Sequence, residues 1–262
     1  MANLAPEIKP KVNVELVNNS NIISFEVLKE MKNRNETKPK KKTNKVAGVS
    51  SEVYAFKTKE EIAAMIDVFN KHIDEATNDN QRQIAWRNKM LFVIGINVGI
   101  RASDLQELRW SFFFNDDGSR KEYYKIQPKK TKKTGKFVTL YFNDAVWTII
   151  DAYLAEYSYN SLNDYLFPSR KGDSCITVNR LRKIIKFTAE EAGISQNIGS
   201  HSLRKSFGFW VWHEAKDKEK ALVVLSSIFN HSSVATTRKY IGLLNDEIEE
   251  TFGSLNLGID FI

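Results

Sequence analysis

Cysteine is almost absent: Cys175 is the only one in 262 residues. A single thiol excludes an intramolecular disulfide framework and any cysteine-rich zinc site, and a free thiol suits a reducing compartment. Histidine is scarce too. His72, His201, His213 and His231 show no HExxH-type spacing, so no metal site is expected. No apolar run reaches the roughly 18 residues of a membrane span. The opening MANLAPEIKP lacks the apolar core of a secretory signal. Neither a phosphate-binding glycine loop nor an internal repeat is found. These absences set the expectation of a soluble cytoplasmic protein with no metal, no cofactor and no membrane partner.

What is present is basic and apolar in separate places. The formal charge is +7 and the sequence pI about 9.2, a moderate excess that points towards a polyanion partner. Charge alone decides little, since many soluble proteins are this basic. An apolar share of 42% is enough for a real core. Residues 1–50 stand apart. After FEVLKEM comes the polar, basic run NRNETKPKKKTNKVAG, which has too few apolar residues for a core of its own. It reads equally well as a basic arm lying along phosphates through Lys40, Lys41, Lys42 and Lys45, or as a solvated linker. The expected organisation is an N-terminal arm over 1–50 and a folded domain over 51–262.

The domain reads as mainly α with a small three-stranded antiparallel sheet. Thr58 and Glu61 have capping-box spacing, and Ile62, Met65, Ile66 and Phe69 recur at helical spacing behind them. A second, strongly apolar helix is expected from about Gln81 to Asn97, ended by Gly99, with Arg101 directly beyond it. A third runs from Ser103 to about Arg109. Between 110 and 142, SFFF, YYKI and FVTLYF read as three strands. The turn NDDG joins the first two, and the basic turn PKKTKKTGK the last two. Helices return at Asn143 and, after a loop over 165–174, at Thr177. The exposed side of that last helix carries Arg180, Arg182, Lys183 and Lys186, and it suits a DNA groove as well as plain solvent.

The densest chemistry lies in residues 201–240. Leu203, Phe207, Trp210 and Val211 form a helix core face. His201 and Arg204, three apart, share one edge at its N-terminal end, where backbone amides also favour an anion. Asn230 and His231 break the next apolar helix, and Tyr240 follows on another. Attack on a DNA phosphodiester needs just such parts: cationic forks for the transition-state charge, a nucleophile, a proton acceptor and a general acid.

Three blocks and a hairpin resemble the catalytic domain of the tyrosine recombinases, the phage-integrase family. GIRASDLQELRW is similar to the family block with Gly-x-Arg followed by Ser-Glu-Leu. HSLRKSF is similar to His-x-Leu-Arg-His-Thr-Phe. FNHSSVATTRKY is similar to Leu-Gly-His-Ser-Ser followed by the helix of the nucleophilic tyrosine. TKKTGKFVTL resembles the strand pair that bears the family lysine. The match spans about residues 52–245 in the family's order.

The resemblance implies a tyrosine recombinase/integrase-like catalytic fold and the following roles. Arg101 and Arg204 clamp the non-bridging oxygens, and Asp104 supports the arginine side. His201 accepts or shuttles a proton, and His231 hydrogen-bonds the phosphate. Lys133 is the general acid, with Lys132 and Lys130 as close alternatives. Tyr240 attacks to form a 3′-phosphotyrosine, so that strands rejoin without ATP or metal. The implied activity is site-specific recombination or integration of a phage or another mobile element. The implied partners are double-stranded DNA, a homotetramer on paired sites and accessory DNA-bending proteins, with the protein nucleoid-associated when bound. Two other readings remain open: a catalytically silent DNA-binding accessory protein of the same fold, and a type IB topoisomerase-like relaxing enzyme. Where the family has Gly before His231 stands Asn230, a residue that tolerates the left-handed region. Lys205 and Ser206 replace the family's His and Thr. Only about 50 residues precede the match, where members of the family usually carry a helical core-binding domain. The apolar tail after Asp246 has to bury itself in this molecule or a neighbour.

Overall fold

A computed structural model describes residues 52–130, 135–170 and 174–254. The basic arm expected over 1–50 and the tail beyond 254 lie outside the described residues. No helix among the described residues is long and apolar enough to cross a membrane.

Helix α1 (Lys59–Asp74) starts as its capping box requires. Glu61 N donates to Thr58 Oγ1 at 3.1 Å, and Thr58 N donates to Glu61 Oε2 at 3.2 Å. Its apolar stripe buries Met65, Val68, Phe69 and Ile73 against α2 (Asp79–Val98). The Asn78 side chain caps α2, and the helix therefore begins two residues before the expected Gln81. It ends at Gly99, whose φ of 62° lies in the left-handed region. A Cβ at Gly99 would also meet the Phe207 ring at 2.2 Å, so this position needs glycine twice over. Helix α3 (Ala102–Leu105) is shorter than the expected Ser103–Arg109. The chain leaves the helix so that Leu108 O can accept from Leu166 N and Arg109 can bridge Tyr165.

The sheet has two strands among the described residues, not the three expected. Strand β1 (Tyr123–Ile126) pairs antiparallel with β2 (Val138–Tyr141), Tyr123 opposite Tyr141 and Ile126 opposite Val138. The SFFF segment instead forms a 3₁₀ turn, Trp110–Phe112, with one isolated bridge from Phe114 to Arg120. Burial explains the difference. Trp110, Phe113 and Phe114 are all buried, an i, i+3, i+4 pattern that suits a helical turn and cannot be met by a strand's alternation.

Helix α4 (Asp144–Glu156) packs on α2, and α5 (Val178–Glu191) on α1. Together with the aromatic loop they close a large apolar cluster reaching from Phe56 to Leu203. The basic side of α5 is exposed at Arg180, Arg182, Lys183 and Lys186. Helix α6 (Ser200–Glu214) leaves this cluster and enters a smaller one, built from Ala55, Phe209, Leu222, Leu225, Phe229, Ile241 and Leu243. That second cluster joins α7 (Lys218–Phe229), α8 (Val234–Ile241) and α9 (Leu243–Gly253). The expected tail is thus helical through Gly253. Its Leu244, Ile248 and Phe252 are exposed.

Candidate active site

The two clusters meet at Arg204. Its position in the first turns of α6, where Ser202 to Ser206 are all buried, places a guanidinium inside the protein. The orphan carbonyls of two helix ends satisfy it. Nη1 donates to Gly99 O at 2.8 Å and Nη2 to Phe229 O at 3.1 Å. The group lies 4.2 Å from the Phe229 ring centroid, a cation–π contact. Burial lowers the Arg204 pKa to about 10, with the neighbouring Tyr240 acting in the opposite direction. Arg204 therefore remains charged at neutral pH.

Arg101 stands at the N-cap of α3, half-buried, three residues from Asp104. It forms no salt bridge among the described residues. Asp104 is buried and accepts the Lys129 amide through Oδ1 at 3.0 Å, so its carboxylate holds the start of the basic turn against α3. Lys129 reaches Glu107 from the same turn.

The left-handed turn at Asn230 (φ 53°, ψ 48°) ends α7 and presents the next residue. His231 N returns to Ser226 O at 2.9 Å, and its Nδ1 meets Thr237 Oγ1 at 3.0 Å. This fixes the ring against α8. Tyr240, on the last turn of α8, packs its ring 5.1 Å from His231 and 5.5 Å from Phe229. Burial raises the Tyr240 pKa, while Arg204, Arg101 and a hydrogen bond with Arg204 pull it back. The phenol is protonated at neutral pH in the free protein.

His201 is the second residue of α6 and is exposed, although the residues directly after it are buried. Partial desolvation of the ring lowers its pKa first, and then the charges of Arg204, Lys205, Arg101 and Lys130. His231 is lowered in the same way, by desolvation and then by Arg204 and Arg101. Both imidazoles are biased towards the neutral form, which can accept a proton.

These groups border a cleft of about 620 Å³ between α3, the β2 edge and the α7–α8 turn. Arg101, Arg204 and His231 line it, with Asp104 and Lys136. Lys136 Nζ donates to Asn230 Oδ1 at 3.0 Å, so a lysine of the basic turn reaches the cleft. His201 and Tyr240 flank the cleft without lining it. Lys133 and Lys132 lie outside the described residues. Lys130 is exposed and near enough to lower the His201 pKa.

Lys205, which in the sequence only replaces the family's His next to Arg204, is buried, bonded to Glu52, and faces the Tyr240 ring. The available signal was position: a lysine in the half-helix where no polar side of the pattern faces out.

Comparison with known proteins agrees with this architecture. The family model described as "Phage integrase family" matches residues 56–247. Among curated proteins, the chain is 31% identical over 173 residues to the probable integrase/recombinase YoeC of Bacillus subtilis (strain 168), covering 64% of this chain and 86% of that one. It is 26% identical over 196 residues to the tyrosine recombinase XerH of Campylobacter jejuni, covering 74% of this chain and 50% of the relative. Among solved structures, XerH site-specific recombinase bound to palindromic difH substrate in a post-cleavage complex aligns with a TM-score of 0.55. Identity is 22%, over 78% of this chain and 52% of that chain. XerA recombinase gives 0.55 and 20%, over 78% of this chain and 65% of that one. At these identities the structures speak for the fold. The chain spans about half the length of XerH and most of YoeC. With the family model matching most of the chain, and with two arginines, two histidines and one tyrosine gathered at one seam, the chain belongs to the phage integrase family of tyrosine recombinases.

Proposed function

We propose that this chain is a site-specific DNA recombinase or integrase that cleaves and rejoins strands through a 3′-phosphotyrosine intermediate. The observation that carries the reading is the packing of Tyr240 against His231 and Phe229 beside a buried, carbonyl-anchored Arg204. Double-stranded DNA is the substrate. The related XerH structures are complexes with difH substrate before and after cleavage. In this chain the exposed basic side of α5 and the lysines of the 129–136 turn supply phosphate contacts.

The step runs as follows. Arg101 and Arg204 receive the non-bridging oxygens of the scissile phosphate, and His231 donates a hydrogen bond to them. Tyr240 Oη attacks phosphorus while the bond to the 5′-oxygen breaks. The phenolic proton passes to the His201 imidazole. A lysine of the basic turn, Lys133 by resemblance, protonates the departing 5′-oxygen. One P–O bond forms and one breaks, so the energy of the phosphodiester is kept and the reverse step can reseal the strand. Arg204 has two donors committed to carbonyls, so its remaining N–H groups and its charge serve the phosphate. Two sites, each bound by two copies, give a tetramer, and accessory DNA-bending proteins would help to align them.

The test is a nicked suicide substrate carrying the cognate site. Wild-type protein should become covalently attached to DNA, and Tyr240→Phe should form no adduct while keeping its DNA affinity. An adduct that survives Tyr240→Phe sinks the assignment of the nucleophile. Its absence in wild type on every cognate site favours the silent accessory reading. Relaxation of one circle without exchange between two sites favours the topoisomerase-like reading.

A further inference from the structure

We infer that Lys205 is a positioning residue for the Tyr240 ring and that Glu52 holds it in place, an assignment that rests on Tyr240 being the nucleophile proposed above. Lysine is seldom fully buried unless its charge is paired. Lys205 is 6% exposed, and its Nζ lies 2.6 Å from Glu52 Oε1. The same ammonium stands 5.6 Å from the centroid of the Tyr240 ring, within cation–π reach. The ring is therefore confined by three parts of the chain: Lys205 on α6, Phe229 at the end of α7, and His231 in the turn before α8.

An apolar side chain of equal length would fill this space without the desolvation cost of an ammonium. What the ammonium adds is direction. It is drawn to a carboxylate on one side and to a π face on the other, so the ring angle, and with it the line of approach of Oη, is coupled to Glu52. Glu52 is itself fixed. The extended segment that carries it is stitched to α6 and the residues before it by four hydrogen bonds. Asn197 Nδ2 donates to Glu52 O (2.7 Å) and Tyr54 N to Asn197 O (2.9 Å). Phe56 N donates to Ser206 Oγ (2.7 Å), and Trp210 Nε1 to Phe56 O (2.9 Å). Lys205 thus differs from Arg204. Arg204 is anchored to helix carbonyls at the cleft, whereas Lys205 links the nucleophile to the segment that enters the domain. Its charge is also among those that lower the proton affinity of His201, which places it near both partners of the proposed proton transfer.

The experiment uses the full chain labelled with 3-fluorotyrosine, the Tyr240 fluorine line being assigned by its loss in Tyr240→Phe. Lys205→Met, Lys205→Arg and Glu52→Gln are compared for single-turnover cleavage of nicked DNA at saturating protein, for DNA affinity, for melting temperature and for the position of that line. Lys205→Met should slow adduct formation roughly tenfold or more, with affinity and melting temperature held and the Tyr240 line moved. Lys205→Arg should restore most of the rate, and Glu52→Gln should fall between, moving the same line. A Lys205→Met rate equal to wild type, a Tyr240 line that does not move, or a loss that Lys205→Arg fails to rescue overturns the assignment. If Lys205→Met melts far below wild type, Glu52→Gln decides, since Glu52 is 34% exposed and can be changed without opening the core. In that case an unchanged rate and line refute the coupling. Should wild type form no adduct at all, the nucleophile assignment falls, and the fluorine line still decides whether Lys205 sets the ring.

Discussion

The larger and smaller apolar clusters of this domain do different work because they are built differently. The larger one is assembled from amphipathic helix faces and interlocked rings, with Phe56 and Phe92 centroids 5.5 Å apart and those of Phe113 and Phe142 4.5 Å apart. Its contacts are close-packed, many and non-directional. The smaller cluster has seven buried apolar residues and holds its geometry by other means. A close pass at Gly208 and hydrogen bonds from the 52–57 segment tie it down, and the Phe229 ring touches Arg204, His231 and Tyr240 at once. The first cluster supplies a rigid acceptor, Gly99 O. The second packs around Tyr240 and, through the Phe229 ring, His231, the proposed nucleophile and phosphate donor.

The contrast breaks if equal damage to the two clusters has equal consequences. Phe229→Ala should cost about 3–5 kcal/mol in chemical denaturation, and a buried ring of the larger cluster, Phe69→Ala, a similar amount. Cleavage per folded molecule should separate them: lost with Phe229→Ala, kept with Phe69→Ala. Equal activity in the two variants would end the distinction. Gly208→Ala is the next largest. A Cβ there would sit 2.6 Å from Ile241 Cγ2 and 2.9 Å from the Phe229 ring. Since overpacking typically costs about 1–3 kcal/mol, the melting temperature should fall and the adduct should form more slowly, because α8 carries Tyr240 immediately before Ile241.

A third test reads the charge at the seam. In the free protein, proton NMR titration should give His201 and His231 midpoints below the ordinary 6.5, because desolvation and the nearby arginines disfavour the cation. The groups facing them are Arg204 and Arg101, joined at His201 by Lys205 and Lys130, with Thr237 on His231. The sign follows from proton binding. As pH falls below 6.5 the unfolded chain takes up protons before the folded one, so this contribution to stability is complete above 6.5 and is lost as pH drops through the folded-state values. Arg204→Gln should raise both midpoints. Midpoints at or above 6.5 in the wild type would show that the seam does not act as a cationic field.

How much of this was legible in the sequence depended on whether the cause was local. The Thr58–Glu61 capping box, the stop at Gly99 and the left-handed Asn230 are set by residues within a turn of one another, and each was readable. Arg101, Arg204, His231 and Tyr240 were picked out by spacing and resemblance, and the fold gathers them at one seam. The SFFF turn is not legible locally, because short aromatic runs favour a strand by propensity. The decision came from a core that buries Trp110, Phe113 and Phe114 on one side. Lys205 gives no local sign of its burial, and Lys136 is legible only as one lysine of a basic turn that could reach a phosphate site; what each one bonds is hidden for the same reason. Their partners, Glu52 and Asn230, are 153 and 94 residues away in the chain, and no local pattern encodes such a pairing.

The smallest effect tests where the smaller cluster ends. Lys57 Nζ bonds both oxygens of Asp246, at 2.5 and 2.6 Å, and lies 5.6 Å from the Phe209 ring. The pair clips the first turn of α9 to the same segment that carries Glu52. Its side chains are 26% and 49% exposed, so water and salt screen it, and a double-mutant cycle with Lys57→Ala and Asp246→Ala should give a coupling of only about 0.2–1 kcal/mol. That coupling should shrink at high ionic strength. The adduct rate should stay near wild type in all three variants, because the Tyr240 ring is held from α6 and α7 and not from α9. A rate that falls with the coupling would move the boundary of the reactive cluster outward to include α9, and would make the 52–57 segment a clamp on two helices instead of one.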